Sequence, residues 1–255
     1  LKNKLINLGN SDGFEMKDNV HQLGNVSRAE NGEVYPFFYG YKTAGIFQNQ
    51  AQIDAYVNNK GEKLQPNAEP GDVIFIDTNK DGTISDTDRT KIGKGTPDWT
   101  YGLNFQASWK DIDFSMLIAG SIGNDIFDAT RRIDLRYVNL SGEMMDRWHG
   151  EGTSNTVPRF TWANNNDNYR VSDLYIKNGS YMRLKNIQLG YTLPKDLTSK
   201  AFISSLRIYV AAENLLTLTG YKGFDPEISY DASAGIDRGI YPQARTFTVG
   251  LNLNF

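Results

Sequence analysis

The C-terminal segment alternates without a break: Phe247, Val249, Leu251, Leu253 and Phe255 are apolar, while Thr246, Thr248, Gly250, Asn252 and Asn254 are small or polar. A period of two puts the two sets on opposite faces of a strand, which a 3.6-residue helical stripe cannot do. Trp99, Tyr101, Leu103, Phe105, Ala107 and Trp109 repeat the pattern against Thr100, Gly102, Asn104, Gln106 and Ser108. Lys110-Asp111 follows as a tight turn, and Ile112, Phe114, Met116 and Ile118 then alternate with Asp113 and Ser115, predicting a hairpin. Ile187, Leu189, Tyr191 and Leu193 form another apolar face. So do Leu206, Ile208, Val210 and Ala212, opposite Arg207, Tyr209 and Glu213, with Pro194 to Ser204 joining the two strands. Further strands are expected over Lys2 to Leu8 and Tyr35 to Phe47, about seven in all.

Composition narrows the classes. The chain has 255 residues, 39% hydrophobic and 22% charged, with 24 Gly, 14 Tyr and 13 Phe, a balance that suits a folded β protein. Its net charge of -3 and scattered Lys and Arg give no footprint for nucleic acid. Zero cysteines exclude disulfides and thiolate metal sites. Apolar clusters such as Met116 to Ala119 fall far short of the ~20 residues of a membrane helix. The sequence starts at Leu1 without Met or a leader, so a piece of a longer protein is expected.

Alternation alone fits both a soluble sandwich and a transmembrane barrel. Trp99 and Trp109 share a face. Ten residues at ~3.3 Å, tilted by ~40°, cover about 25 Å along a membrane normal, the height of an outer-membrane apolar band between aromatic girdles. Sandwich strands are usually about 5 to 6 residues long. Short connections at Lys110-Asp111 and Pro194 to Ser204 alternate with long ones at Gln48 to Thr96, Gly123 to Gly179 and Gly220 to Ala244, as periplasmic turns alternate with external loops. Gly9 to Val34 does not fit that parity. The expected fold is therefore all-β: a segment of an antiparallel transmembrane β-barrel with long extracellular loops at 48–96 and 123–179. On this reading Val249→Arg is costly and changes at Gly250 or Asn252 are milder. The rival is a soluble extracellular calcium-binding β-domain serving as an adhesion or glycan-binding module.

Within the first long loop, Asp77-Thr-Asn-Lys-Asp-Gly-Thr-Ile-Ser-Asp-Thr-Asp88 matches the register of an EF-hand-type loop. Asp77, Asn79, Asp81, Thr83, Ser85 and Asp88 occupy the ligand positions, and Gly82 the sharp turn. Such spacing wraps hard oxygens around one point, with Thr83 offering its carbonyl. Calcium in a structural role is expected, with magnesium or sodium as substitutes. Asp88 is shorter than the usual Glu, the entering segment Val73 to Ile76 reads as a strand, and a helix capped by Ser85 is expected to come next. Asp, Asn and Gly are also ordinary turn residues, so a metal-free turn is the competing reading.

No catalytic constellation is present. His21 and His149 lack a neighbouring acid and nucleophile. Gly93-Lys-Gly95 lacks the rest of a phosphate fingerprint, and Asp111 and Asp113 sit in a hairpin turn. Trp148, Phe160, Trp162 and Tyr169, with Asn164-Asn-Asn166 and Asn168, offer rings and amides for sugar or protein contact, or for packing the loop on itself.

The stretches "DVIFIDTNKDGTISDTDRTKIGKGTPDWTYGLNF", "NGSYMRLKNIQLGYTLPKD", "LRIYVAAENLLTLTGYKGFDPE" and "GIYPQARTFTVGLNLNF" resemble, in order, the C-terminal part of the SusC/RagA family of TonB-dependent outer-membrane transporters of Bacteroidetes. The resemblance implies a place in the bacterial outer membrane, within a barrel of about 22 strands whose plug and TonB-contacting segment belong to an N-terminal region not in this chain. It also implies uptake of oligosaccharides or peptides, and a SusD-like surface lipoprotein as partner. Phe255, the aromatic end of an alternating strand, resembles the signal read by the outer-membrane assembly machinery.

Overall fold

The computed structural model describes residues 4–20, 23–131, 141–163, 165–228 and 235–255. They form two compact units: Pro97–Asn124, Asn178–Glu227 and Ile240–Phe255 make a strand unit, and Leu1–Thr96, Asp125–Lys177 and Ile228–Gly239 a loop unit. Among the described residues no helix is long and apolar enough to cross a membrane, which says nothing of strands.

The strand unit is one five-stranded meander of β1 (Trp99–Trp109), β2 (Ile112–Ile122), β3 (Tyr181–Thr192), β4 (Ser205–Thr219) and β5 (Thr246–Asn254), each antiparallel to the next. The two-residue turn predicted at Lys110-Asp111 joins β1 to β2, with Lys110 at φ 53. Register converts the sequence alternation into continuous rows. Trp109, Ile112, Tyr191, Ile208 and Leu251 stand side by side across all five strands, as do Ala107, Phe114, Leu189, Val210 and Val249. Among the described residues this apolar face has no covering layer: Val249 is 75% exposed, Trp109 69% and Leu189 50%.

The opposite face is polar and carries ion pairs. Arg207 donates to Asp113 through both Nε (2.8 Å) and Nη2 (2.5 Å). Gly190 leaves the room that ion pair needs, since a Cβ there would strike both partners. Gly250 lies under the Tyr209 ring in the same way, so the mildness expected of changes there does not extend to bulky residues. Further along, Arg183 is 2% exposed and donates to Thr217 Oγ1 (2.9 Å), Glu227 (2.7 Å) and Asp225 (2.6 Å). Burial raises the Asp225 carboxyl, but N–H donation from Gln243 and Glu227 and the Arg183 guanidinium outweigh it and hold the group below its ordinary value. The segment after β4 is thereby tied to the sheet's polar face.

Among the described residues five long strands form, where about seven strands were expected; Lys2 and Asn3 of the expected first strand lie outside the described residues. Residues 4–8 form no strand; Leu5 alone exchanges backbone bonds, with Gly32 and Glu33. Tyr35 to Phe47 splits into Phe37–Gly40 and Thr43–Ile46, which belong to different sheets of the loop unit. The break comes where Tyr41 N–H donates to the Val171 carbonyl (2.8 Å) and where a Cβ at Gly40 would hit that same carbonyl.

The two long connections at 48–96 and 123–179 fold with the N-terminal residues into short strands around their own core. Phe38, Phe127 and Tyr175 are buried together with Val26, Val171 and Ile236, and the rings of Phe127 and Tyr175 stack at 5.3 Å and 5°. Asp125–Asp128 runs parallel to Ile236–Asp237.

Candidate functional site

Strand Val73–Phe75 delivers the chain into the candidate cation loop, 77–88. The loop closes on itself through its acidic side chains. Asp77 accepts from Gly82 N–H (2.8 Å) and Asp81 N–H (3.2 Å), joining the first and sixth positions. That approach needs Gly82, whose φ of 90 an L side chain rarely adopts. Asn79 Oδ1 accepts from Asp81 N–H (2.9 Å), and its amide donates to Asp81 (2.9 Å). Asp81 also accepts from the Thr83 N–H (2.9 Å) and hydroxyl (2.8 Å). The Asn79 amide first, then Thr83, hold the Asp81 carboxyl below its usual value.

Asp88 differs from the other acidic positions. It is fully buried, and accepts from Thr78 N–H (2.8 Å), Asn79 N–H (3.3 Å) and Ser85 N–H (2.8 Å). A carboxylate has about four lone-pair sites, so these three bonds leave little for a two-oxygen grip on a cation. Ser85 does act as a helix cap, with Asp88 completing a capping box, but the expected helix is a single 3-10 turn, Asp86–Asp88. The next residues, Thr90–Gly93, pair with Phe37–Gly40 as a strand instead.

Neighbouring side chains hold the loop from three sides. Tyr56 Oη donates to the Phe75 carbonyl (2.7 Å), Asn58 Nδ2 to the Gly82 carbonyl (3.1 Å) and Tyr41 Oη to Asp86 (2.9 Å). Burial, and then the bond to Asp86, push the Tyr41 hydroxyl up to about 12. Arg170 lies over the rings of Tyr41 (4.9 Å) and Phe75 (4.5 Å). Among the described residues no three His, Cys, Asp or Glu side chains converge as a metal cage. The donor types nevertheless suit a hard cation: Asp77 and Asn79 keep oxygen lone pairs free, while Asp81 accepts from Asn79, Thr83 and Thr87 and Asp88 serves the backbone.

Two of the amides considered for ligand contact are buried and structural. Asn166 and Asn168 are 6% and 2% exposed. Asn166 Nδ2 donates to the Val73 carbonyl (3.0 Å), Asn168 Oδ1 accepts from Val73 N–H (3.0 Å), and Gln65 serves both Val73 O (2.9 Å) and Phe75 N–H (2.8 Å). These side chains replace a partner strand along one edge of Val73–Phe75. Asn168 Nδ2 continues the network to buried Asp72 (2.9 Å), which Arg159 Nε also reaches (2.7 Å). Trp148 Nε1 donates to Gln48 (3.2 Å), whereas Trp162 is 63% exposed and packs edge-on against Phe160. His149 is exposed, with Nδ1 at 3.0 Å from the Arg147 carbonyl; His21 and Asn164 lie outside the described residues. Gln65, Asp72 and Arg159 escape a reading of the sequence, since Arg159 and Asp72 are 87 positions apart and neither belongs to a motif.

No family model matches the chain. It is 33% identical over 265 residues to the TonB-dependent receptor P3 of Formosa agariphila, an alignment covering all of this chain and 26% of that protein. To the TonB-dependent receptor SusC of Bacteroides thetaiotaomicron it is 29% identical over 233 residues, 90% of this chain and 21% of SusC. Its fold matches the RagAB peptide importer in the 'open-open' state with a TM-score of 0.72 at 24% identity, over 99% of this chain and 25% of that one. The chain thus spans about a quarter of the length of the relatives it matches.

This geometry has two measurable outcomes. Arg159→Met strands the buried Asp72 carboxylate and costs the loop unit ~3–5 kcal/mol, read as faster amide exchange along Val73–Phe75; substituting Asp72→Asn as well recovers part of the loss. The Tyr41 hydroxyl titrates near 10 when unfolded and about 12 when folded. Its contribution is fully present below the first value and lost as pH rises through the second, so alkaline loosening of the same strand is weaker in Tyr41→Phe.

Proposed function

From homologues that are TonB-dependent receptors, SusC among them, and transporters instead of enzymes, we propose that this chain is a barrel segment of an outer-membrane nutrient importer. The observation that carries the reading is the bare apolar face of β1–β5, five strands wide, backed by a polar face that carries the Arg207–Asp113 and Arg183–Asp225 ion pairs. In water such a face would be an association hazard. Against lipid it is the expected outer surface of a barrel wall, and the polar face is the lumen. The chain enters β1, leaves β2 and β4, and enters β3 and β5 at the end of the sheet marked by Trp99, while both short connections lie at the other end. That supports an external side for the long connections and a periplasmic side for the short ones.

The whole importer takes up oligosaccharides or peptides, docks a SusD-like lipoprotein and draws energy from TonB through parts beyond this chain. Loop 77–88 holds a hard cation, calcium or in its place magnesium or sodium, through Asp77, Asn79, Asp81, the Thr83 carbonyl and Ser85, with Asp88 as the staple that shapes the loop. A cation there supplies rigidity and no chemistry.

Two measurements test this. Val249→Arg, midway along the edge strand β5 on the apolar face, costs ~2–4 kcal/mol of barrel stability and lowers the folded fraction seen as a heat-modifiable band, whereas Asn252→Arg on the polar face does not. Equal tolerance of the two changes contradicts a lipid-facing wall. Calorimetric titration of the full-length receptor with calcium gives binding that Asp77→Ala plus Asp81→Ala abolishes; heat that is absent from both proteins reduces the loop to a turn.

A further inference from the structure

The connection from β3 to β4 starts and ends in the apolar face. Leu193 N–H donates to the Leu206 carbonyl (2.8 Å), and Leu206 pairs with Leu253. Between them a helical turn, Lys195–Thr198, runs through a 3-10 turn into Phe202. The helix end is a Schellman closure: Phe202 N–H bonds to the Ser199 carbonyl (3.1 Å) and Ile203 N–H to the Thr198 carbonyl (3.2 Å). The closure needs a left-handed residue, a place glycine fills without steric cost, yet phenylalanine holds it at φ 57 and is 91% exposed. A backbone outlier that displays an aromatic ring points to a use for the ring.

The rest of that end of the sheet has matching chemistry. Leu197 is 58% exposed, and Lys195 and Lys200 flank it in the open. Trp109, 69% exposed, carries the Lys110 ammonium 4.7 Å from its ring centre. Rings, aliphatic tips and ammonium groups at this end of the sheet, beside the exposed carboxylates Asp111 and Asp196, suit the boundary between acyl chains and phosphate head groups, where amphipathic side chains place carbon inward and charge outward.

We propose that residues 194–204 form a lipid anchor: Phe202 and Leu197 enter the acyl boundary of the adjacent leaflet, and Lys195 and Lys200 meet its phosphates, fixing the depth of the wall. The proposal rests on the membrane reading of the sheet, and its test separates the two. The 255 residues contain no cysteine, so Phe202→Cys, Leu197→Cys and Val249→Cys each add one attachment point within them for an environment-sensitive fluorophore. The full-length receptor is placed in vesicles of phosphatidylethanolamine and phosphatidylglycerol. Labels at 202 and 197 are expected to emit to the blue, lose about half or more of their intensity to lipids brominated near the carbonyl end, and resist aqueous iodide. If 249 is quenched by lipid while 202 and 197 are quenched by iodide, or shielded from both quenchers by protein, the anchor is overturned and the membrane wall stands. If 249 is also open to iodide, both readings fall.

Discussion

Everything in the strand unit depends on one constraint: in a medium without water, a backbone must pair its own N–H and C=O groups. Between its strands the meander β1–β5 does this with four successive antiparallel ladders, which leave only the outer edges of β1 and β5 without a partner strand among the described residues. Once the ladders are fixed, register alone decides which side chains share a face. Because the residues alternate, it assembles rows such as Trp109, Ile112, Tyr191, Ile208 and Leu251 from all five strands. Among the described residues no second layer covers them. On the proposed membrane reading, lipid is the solvent in which that arrangement costs nothing, and the polar side faces water.

The polar side answers a different requirement. Charges next to a sheet surface are costly unless partnered. Arg207 forks onto Asp113 from two strands away, and Arg183 is enclosed by Thr217, Glu227 and Asp225. Glycines 190 and 250 belong to this account, because each vacates the space that a cross-strand neighbour fills. The loop unit solves its own edge problem with side chains. Gln65, Asn166 and Asn168 bind the backbone of Val73–Phe75 in place of a strand, and Asp72 with Arg159 anchors those amides.

How much of this was legible in the sequence depends on the physics of each element. β1 and the whole of β5 alternate without interruption, and β2 does so as far as Met116, where the apolar run to Ala119 begins, so a period of two is enough to place them and their faces. In β3 and β4 it stopped early. The ladder shifts between Leu184 and Asn186, where Leu184 faces Leu216 and Asn186 faces Glu213. Lys185, Asn214 and Leu215 are passed over: one residue in β3, where the apolar face continues in the opposite phase through Leu184 and Met182, and two in β4, where Leu216 and Leu218 keep the phase of Ala212. In β3 the bulge resets parity, which a strict alternation reads as the end of a strand; in β4 the polar Asn214 interrupts the apolar series. Tyr35 to Phe47 failed for the reverse reason: its aromatic residues signal strand, but a close approach at Gly40 hands the chain from one sheet to another. The loop register at 77–88 was fully readable, yet the fate of Asp88, drawn inward to three backbone N–H groups, was not, since ligand spacing does not say whether a carboxylate meets a cation or the chain itself. The amide network, between segments 96 and 101 residues apart, left no local trace.

The central claim is that the bare face of β1–β5 meets lipid. Fractionating cells that express the full-length receptor tests it most directly. The account predicts that the protein sediments with the outer membrane and leaves it only in detergent. A receptor that is recovered folded and monodisperse in the aqueous fraction without detergent would contradict it.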